Sequence, residues 1–363
     1  MQFSNKSDLK TVIMKNKAKL LSIILIIIAI AGAGWFAYKK SAPKSENVVI
    51  RELESTVPTQ WELAKKLTGR DILVEEGVIR EPINTIQSSG GTTALQALLA
   101  NNIDVSTSSA WPPFINIFAR GGKVKALLGT AISRKDNECG RSPLLVLDDS
   151  SIHTIKDLAG KRIAVNVLGA EADYVIRLYL KKNGLSISQV ELVVVPDEKQ
   201  EQMLRSRQVD AAAFSTTGGV FYDFTVAHGG VREIPGTTNF ETKGETMVGA
   251  IGFRNEFIEK HPDTVRRYIH AYERSRRIIY DEFQKNPERV RKAYAEICVK
   301  KGSNPILATY FRTTLWTPEH PLIADKDIQW WLDRFIEDGL LKPGQIKPSD
   351  IYSNEFYPVY KNK

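Results

Sequence analysis

The feature that most constrains the fold of this chain is a unit that occurs twice. Residues 84–122 read as a serine-rich loop, an amphipathic helix, a short strand after Asp104 and a helix opened by two prolines. Residues 202–219 repeat the helix, the aspartate before a small apolar strand, and the hydroxyl-rich end. Counted from the two aspartates, Ser109 and Ser215 stand at the same offset. The sequence therefore predicts two similar α/β units.

Both units place short hydroxyl side chains where a strand ends. Small ligands bind at this edge of an open α/β sheet, because helix N-terminal amides and loop side chains meet there. A simpler alternative is that Ile-Asp and Val-Asp are common ways to begin a buried strand, and it is the better one for either unit alone. The matched pair favours two lobes that face each other across a cleft. The predicted ligand-binding residues are Thr56, Gln60, Ser88, Ser89, Gly90, Ser108, Ser109, Trp111, Gly169, Ala170, Glu171, Ser215 and Thr216.

Three of these residues carry more specific expectations. Trp111 offers a ring on which a ligand could stack, and Gly169 stands at a strand-to-helix turn that would aim amides into the cleft. Glu171 in the first turn of a helix would complement the helix dipole, which is its simpler role. If its side chain faced the ligand instead, it would disfavour an anion and could pair with a cation.

The N-terminal region has the character of a membrane segment. Residues 20–38 carry no charge and are flanked by lysines, and as a helix they would span roughly 28 Å. More lysines precede this run than follow it, which places residues 1–19 in the cytoplasm and the body outside. The run continues through two aromatic residues, which favours an uncleaved transmembrane anchor over a signal segment cut near Ala33. Residues 39–47 then form a linker.

Charge and cysteine content exclude several classes of protein. The net charge is +8, but residues 1–40 hold seven lysines against one aspartate, so the body is nearly balanced and no nucleic-acid partner is expected. The two cysteines, Cys139 and Cys298, lie far apart without a CxxC motif, so neither a metal site nor a cofactor is expected. They could pair in an exported protein or remain free thiols. Four tail aromatics at near-helical spacing, Trp316, Trp330, Trp331 and Phe335, are expected in the core.

Several segments resemble one family, in the same order along the chain. Residues 90–113 (GGTTALQALLANNIDVSTSSAWPP) are similar to a segment of solute-binding proteins of ABC importers for nitrate, sulfonates and taurine, the SsuA/TauA/NMT1-like family. Residues 155–165 (IKDLAGKRIAV) look like its DL-x-GK-x-IAV segment, and Val209-Asp210-Ala211 like its VDA. Residues 253–272 (FRNEFIEKHPDTVRRYIHAY) resemble its later helical segment. The resemblance covers roughly residues 48–357.

This resemblance implies a type II periplasmic-binding-protein fold with two α/β lobes and a hinge of two crossing segments. Lobe one would comprise residues 48–146 and 250–363, the latter including C-terminal helices, and lobe two residues 147–249. Such proteins are not enzymes: they close on a small-molecule ligand and then dock on ABC permease subunits. The resemblance also implies a monomer located outside the cytoplasm.

The chain departs from the family where the ligand would sit. Sulfonate- and nitrate-binding relatives place a hydroxyl-rich turn after the IAV strand, whereas this chain has Gly169-Ala170-Glu171. No Arg or Lys lies in the predicted site loops, which favours an organic ligand, sulfonate-like or heterocyclic, over a bare oxyanion. Two other functions stay open: a membrane-tethered ligand sensor, and a binding protein related to the thiamine-pyrimidine synthases, whose cysteine-rich motif is absent here.

Overall fold

A computed structural model describes residues 48–84, 91–133, 144–215, 219–312 and 322–358. The strands in these ranges are β1 (Val49–Leu53), β2 (Ile79–Ile83), β3 (Val105–Ala110), β4 (Val124–Ser133), β5 (Leu145–Leu147), β6 (Arg162–Val165), β7 (Glu191–Val194), β8 (Ala211–Ala213), β9 (Val231–Glu233) and β10 (Thr246–Arg254). The α-helices are α1 (Gln60–Thr68), α2 (Ile72–Glu75), α3 (Gly91–Leu99), α4 (Trp111–Ala119), α5 (Glu171–Lys182), α6 (Asp197–Arg205), α7 (Gly219–Ala227), α8 (Asn239–Lys243), α9 (Asn255–Lys260), α10 (Pro262–Lys285), α11 (Pro287–Lys301), α12 (Asp325–Glu337) and α13 (Pro348–Ile351). The predicted anchor, residues 20–38, lies outside these ranges, and within them no helix is both long and apolar enough to cross a bilayer.

The strands form two five-stranded sheets of the same plan. The first has the order β2-β1-β3-β10-β4 and the second β7-β6-β8-β5-β9. In each sheet the first three strands of this order are parallel to one another. The fourth strand, β10 in the first sheet and β5 in the second, runs antiparallel to the third. The predicted α/β class is confirmed. The predicted lobe boundaries, after residues 146 and 249, fall inside β5 and β10, and the division into lobes stays a prediction.

An aspartate anchors the start of a parallel strand pair in each sheet. Asp104, at the entry to β3, accepts hydrogen bonds from the Arg51 backbone N–H at 2.9 Å and from the Arg51 guanidinium at 2.7 Å. Asp210, at the entry to β8, accepts the same two bonds from Arg162, at 2.9 and 3.1 Å. Each aspartate therefore ties its strand to the parallel neighbour, which is a physical reason for the recurring Asp in the sequence repeat.

The match extends to the turn before each aspartate. The residue three positions earlier, Asn101 or Arg207, has a positive φ of 58° or 57°. The carbonyl oxygen of that residue accepts a bond of 2.8 Å from the guanidinium of Arg51 or Arg162. The two units thus share a backbone turn, a carboxylate and an arginine in the same arrangement.

Three helices join the sheets through an apolar core. α4 follows β3 of the first sheet, α5 follows β6 of the second, and α12 comes from the C-terminal region. Tyr174 of α5 stacks on Phe335 of α12 with ring centroids 5.0 Å apart, and its hydroxyl accepts a bond of 3.3 Å from the Asn116 side chain of α4. Trp331 is fully buried and Phe335 nearly so, which confirms the predicted core role of these two tail aromatics. Trp330 is only half-buried, and Trp316 lies outside the described residues.

Candidate functional site

A cleft lies between the two sheets, at the carboxyl ends of β3, β6 and β8. The volume open to the centre of a water molecule is about 60 Å³, within an empty space of about 560 Å³ that includes the mouth. The cleft is lined by Gly91, Thr92, Ser109, Ala110, Pro113, Thr130, Ala131, Asn166, Val167, Ala170, Glu171, Ala172, Ser215, Val248 and Gly249. Loops and helix starts of both sheets therefore face one enclosed space.

Four predicted site residues line this cleft. They are Ser109, Ala170, Glu171 and Ser215. Ser88, Ser89, Gly90 and Thr216 lie outside the described residues, as does the side chain of Ser108. The two serines at matched offsets in the repeat are thus brought to opposite walls of the same cleft.

Trp111 needs a correction, because the described structure does not offer it as a stacking surface. Its side chain is fully buried, and its indole N–H donates a bond of 2.7 Å to the Met247 carbonyl. Its ring lies 5.9 Å from that of Phe114 inside the core between the helices. The proline pair that follows it starts α4 with Trp111 turned inwards, so its role is packing.

Thr56 and Gln60 are also absent from the described lining of the cleft. The loop that carries Thr56 is held by the C-terminal end of α11 instead. Lys301 donates a bond of 2.9 Å to the Ser55 carbonyl, and Ser303 donates to the carbonyl of Thr56. These bonds hold the loop against the C-terminal end of α11.

Gly169 has the positive φ of 74° expected of its turn, but its amide is not aimed at the cleft. Its N–H donates a bond of 2.8 Å to Asp173 in the first turn of α5. A side chain of the helix thus accepts the amide that was expected to be available for a ligand.

The hydroxyl hydrogens of both cleft serines are already engaged. Ser109 donates a bond of 3.0 Å to the Gly91 carbonyl and lies 2.7 Å from the Ser106 hydroxyl, which donates to it in turn. Ser215 donates through its hydroxyl to Asp197 at 2.6 Å, and through its backbone N–H to the same carboxylate at 2.9 Å. Each serine is therefore fixed in orientation before any ligand arrives.

Asp197 at the start of α6 was not among the predicted residues. Burial raises the pKa of the Asp197 carboxyl above its usual range, while the two bonds from Ser215 oppose that rise. The sequence offered a usable signal, since an acidic residue in a first helical turn often accepts hydrogen bonds from a nearby loop.

Glu171 forms a buried ion pair with Lys243 in α8. The Lys243 side chain is fully buried, and its ammonium lies 5.7 Å from the centre of the Trp331 ring. A cation from a segment 72 positions away thus balances Glu171. Glu171 also lies in the first turn of α5, where it complements the helix dipole as expected. Nothing in the local sequence points to this pair.

Two further polar residues of the lining were missed by the sequence analysis. Asn166 directly follows β6, and Thr92 lies in the first turn of α3. The side-chain oxygens Asn166 Oδ1 and Thr92 Oγ1 are both buried and have no hydrogen-bond partner among the described residues. Their places at a strand end and a helix start match the pattern used to predict the serines, so the same reasoning could have included them.

The chain is similar to known proteins over most of its length. The family model described as NMT1/THI5 like matches residues 83–289. A protein of Brucella abortus (strain 2308), named as a candidate binding protein without a ligand, is 24% identical over 293 residues, which cover 74% of this chain and 80% of the relative.

Solved structures share the fold. The alkanesulfonate-binding protein SsuA from Xanthomonas axonopodis pv. citri, bound to MOPS, matches with a TM-score of 0.63 at 18% identity, over 84% of this chain and 98% of that one. The desulfurization enzyme DSZB matches with a TM-score of 0.56 at 15% identity, over 85% and 97%. The fold is thus the mixed α/β fold of periplasmic binding proteins, and the chain belongs to the NMT1/THI5-like family.

Proposed function

We propose that this protein is the extracytoplasmic solute-binding component of an ABC importer, which captures a small organic ligand and delivers it to permease subunits. The observation that carries the proposal is the cleft, whose walls come from both sheets. A site divided in this way gains its full set of contacts only when the two walls approach, so ligand binding favours the closed form.

Contacts away from the cleft would take part in closure. Phe224 of α7 packs edge-on against Tyr310 with ring centroids 5.9 Å apart. Asp223, also of α7, pairs with Arg312 at 3.2 Å. These residues link the second sheet to the segment that follows α11, and they form part of the closed state in this proposal.

The proposed location follows from the N-terminal sequence and the family. Residues 20–38 form a charge-free apolar run, and we take them as an anchor that holds the body outside the cytoplasm. The same segment favours a second candidate function, a membrane-tethered sensor with the same cleft. Capture of a permease and an ATPase subunit with the full chain would support the importer over the sensor.

The proposed role involves no covalent chemistry, although DSZB shows that the fold also occurs in an enzyme. Cys298 is buried and has no disulfide partner among the described residues, and it lies outside the cleft lining, while Cys139 falls outside those residues. The described lining contains neither cysteine nor histidine. A binding role therefore accounts for its described side chains.

The test is a thermal-stability screen of the full chain in mild detergent against sulfonates, taurine, nitrate, bicarbonate and small heterocycles. A ligand at a hundred times its Kd stabilises a protein by about 2.7 kcal/mol, which raises the unfolding temperature measurably. Ala172→Trp would fill the cleft and should abolish the shift, whereas Leu168→Trp on the exposed neighbouring loop should keep it. A shift that survives in Ala172→Trp would contradict the proposed site.

A further inference from the structure

The charge of the cleft differs from that of an anion site. Within the described lining, Glu171 is the one charged residue, and no Lys, Arg or His side chain is present. Lys243 already forms an ion pair with Glu171, so its charge is not available to a ligand. An oxyanion entering this space would meet no uncompensated positive side chain among the described residues.

The two serines of the cleft cannot replace that missing charge. Ser109 and Ser215 each use their single hydroxyl hydrogen on a protein acceptor, the Gly91 carbonyl and the Asp197 carboxylate. Neither serine therefore has an O–H left to donate to an oxyanion in this arrangement.

The helices that begin at the cleft also offer few backbone N–H groups to an anion. Prolines occupy the second and third positions of α4, which removes two backbone N–H groups where Pro113 lines the cleft. The first turn of α5 carries two carboxylates, those of Glu171 and Asp173. Among α3, α4 and α5, which begin at the described lining, α3 alone has neither prolines nor acidic residues in its first turn.

The lining instead contains a polar atom that needs a donor. Asn166 Oδ1 is buried without a hydrogen-bond partner in the described part of the chain, and a carbonyl oxygen of this kind can only accept. Leaving a buried acceptor unpaired is costly, so a ligand N–H directed at it would recover that free energy. Thr92 Oγ1, which also has no partner among the described residues, is a hydroxyl that can accept a second bond from the ligand or donate its own hydrogen.

We propose that the ligand presents N–H hydrogen-bond donors to Asn166, and that the site discriminates against oxyanions that lack such a group. The proposal rests on the proposed function and specifies the chemistry of its ligand. The cleft volume of about 60 Å³ holds about four to six waters, which suits a compact amine, amidine, amide or N–H heterocycle.

The experiment compares pairs of probes that differ in their donors. Guanidinium and nitrate are both planar, trigonal ions of four heavy atoms, and taurine and ethanesulfonate differ by an ammonium group. Pyrazine and aminopyrazine supply an uncharged pair. Binding to the full chain in mild detergent, freed of co-purified ligand, is measured by calorimetry and saturation-transfer NMR at constant ionic strength. We expect the N–H partner of each pair to bind at least tenfold more tightly.

Variants of Asn166 locate the effect. Asn166→Leu removes the acceptor and should abolish the preference, whereas Asn166→Asp keeps the acceptor oxygens and should retain or increase it. Asn102→Leu, at an exposed asparagine, is the matched control and should bind like the parent. Thermal unfolding of each variant establishes that it is folded.

The outcomes separate the two proposals. If nitrate and ethanesulfonate bind as tightly as their partners, or if Asn166→Leu keeps the preference, the donor inference is wrong while solute binding stands. If no probe and no solute of the wider screen binds, both proposals fail. A tenfold preference that disappears in Asn166→Leu alone supports both.

Discussion

The two sheets of this protein use the same anchor but bury it to different extents. The Asp104 side chain is 3% exposed and is also bound by Arg254 of β10 at 2.9 Å, whereas the Asp210 side chain is 29% exposed and has no such third element among its described partners. The repeat therefore determines which Asp and Arg residues form an ion pair. How much each pair stabilises the fold depends on how far the surrounding chain buries it. In the first sheet the returning strand β10 covers the anchor.

The largest expected effect comes from breaking that anchor. Asp104→Asn should lower the free energy of unfolding by about 3 kcal/mol, because it leaves Arg51 and Arg254 without their charged partner in a mostly buried setting. Asp210→Asn should cost about 1 kcal/mol, since its pair is largely open to solvent. Urea unfolding of both variants measures the difference. Equal losses would show that the two anchors are energetically equivalent.

For the two cleft serines we expect the larger loss of stability in the second sheet, the reverse of the order for the two aspartates. Ser215→Ala removes a hydrogen bond to a buried carboxylate and should cost about 2 kcal/mol, whereas Ser109→Ala removes a bond to a carbonyl and should cost about 1 kcal/mol. Ser188→Ala, on an exposed turn, serves as the control. A larger loss for Ser109→Ala in the same urea experiment would contradict the assignment of Asp197 as the acceptor.

Asp104 and Asp210 should contribute to the free energy of unfolding with a different pH dependence from Asp197. Despite the opposing effect of burial, bonds from arginine lower the pKa of Asp104 and of Asp210. Their stabilisation is full above the unfolded value of about 3.9 and is lost as pH falls through the folded pKa. Burial raises the pKa of Asp197, so its effect is reversed: stability rises as pH falls from its folded pKa towards about 3.9.

Unfolding curves across this range, for the parent and three Asp→Asn variants, test the assignment. Asp104→Asn and Asp210→Asn should flatten the acid loss below about pH 4, with the larger change for Asp104. Asp197→Asn should flatten the curve above that pH. If the stability curves of all three variants flatten in the same pH range, the pKa shifts do not arise at these three aspartates.

The smallest effect concerns the contact between the two regions. Arg312→Ala removes a partly buried pair with Asp223 and should change stability by less than about 1 kcal/mol. If the pair belongs to the closed state, ligand affinity falls by up to about fivefold and the apo protein expands in X-ray scattering. Arg266→Ala, which removes an exposed pair within α10, should do neither.

Local patterns predicted the elements of this fold well, because helices and strands follow from the spacing of apolar residues and from aspartate, glycine and proline at their ends. The matched serines could be found in the same way. Trp111 was assigned the wrong role, since sequence does not show on which side of a helix start a ring will pack. Lys243 was missed because its partner Glu171 is distant in the chain, and only the packing of separate segments brings the two together. Asp197 was missed although its place in the first turn of a helix was visible in the sequence.

The order of strands in the first sheet has a consequence for how the protein folds. All strands of the second sheet come from one segment, Leu145 to Glu233, whereas the first sheet needs β10 between strands made more than a hundred residues earlier. Closing so long a loop is slow, because its entropy is lost before any contact forms. During synthesis the second sheet can therefore assemble while the first waits with β3 and β4 unjoined. Protection of β6–β8 amides before those of β3 and β4, in pulsed hydrogen exchange, would be the kinetic signature of this interrupted topology.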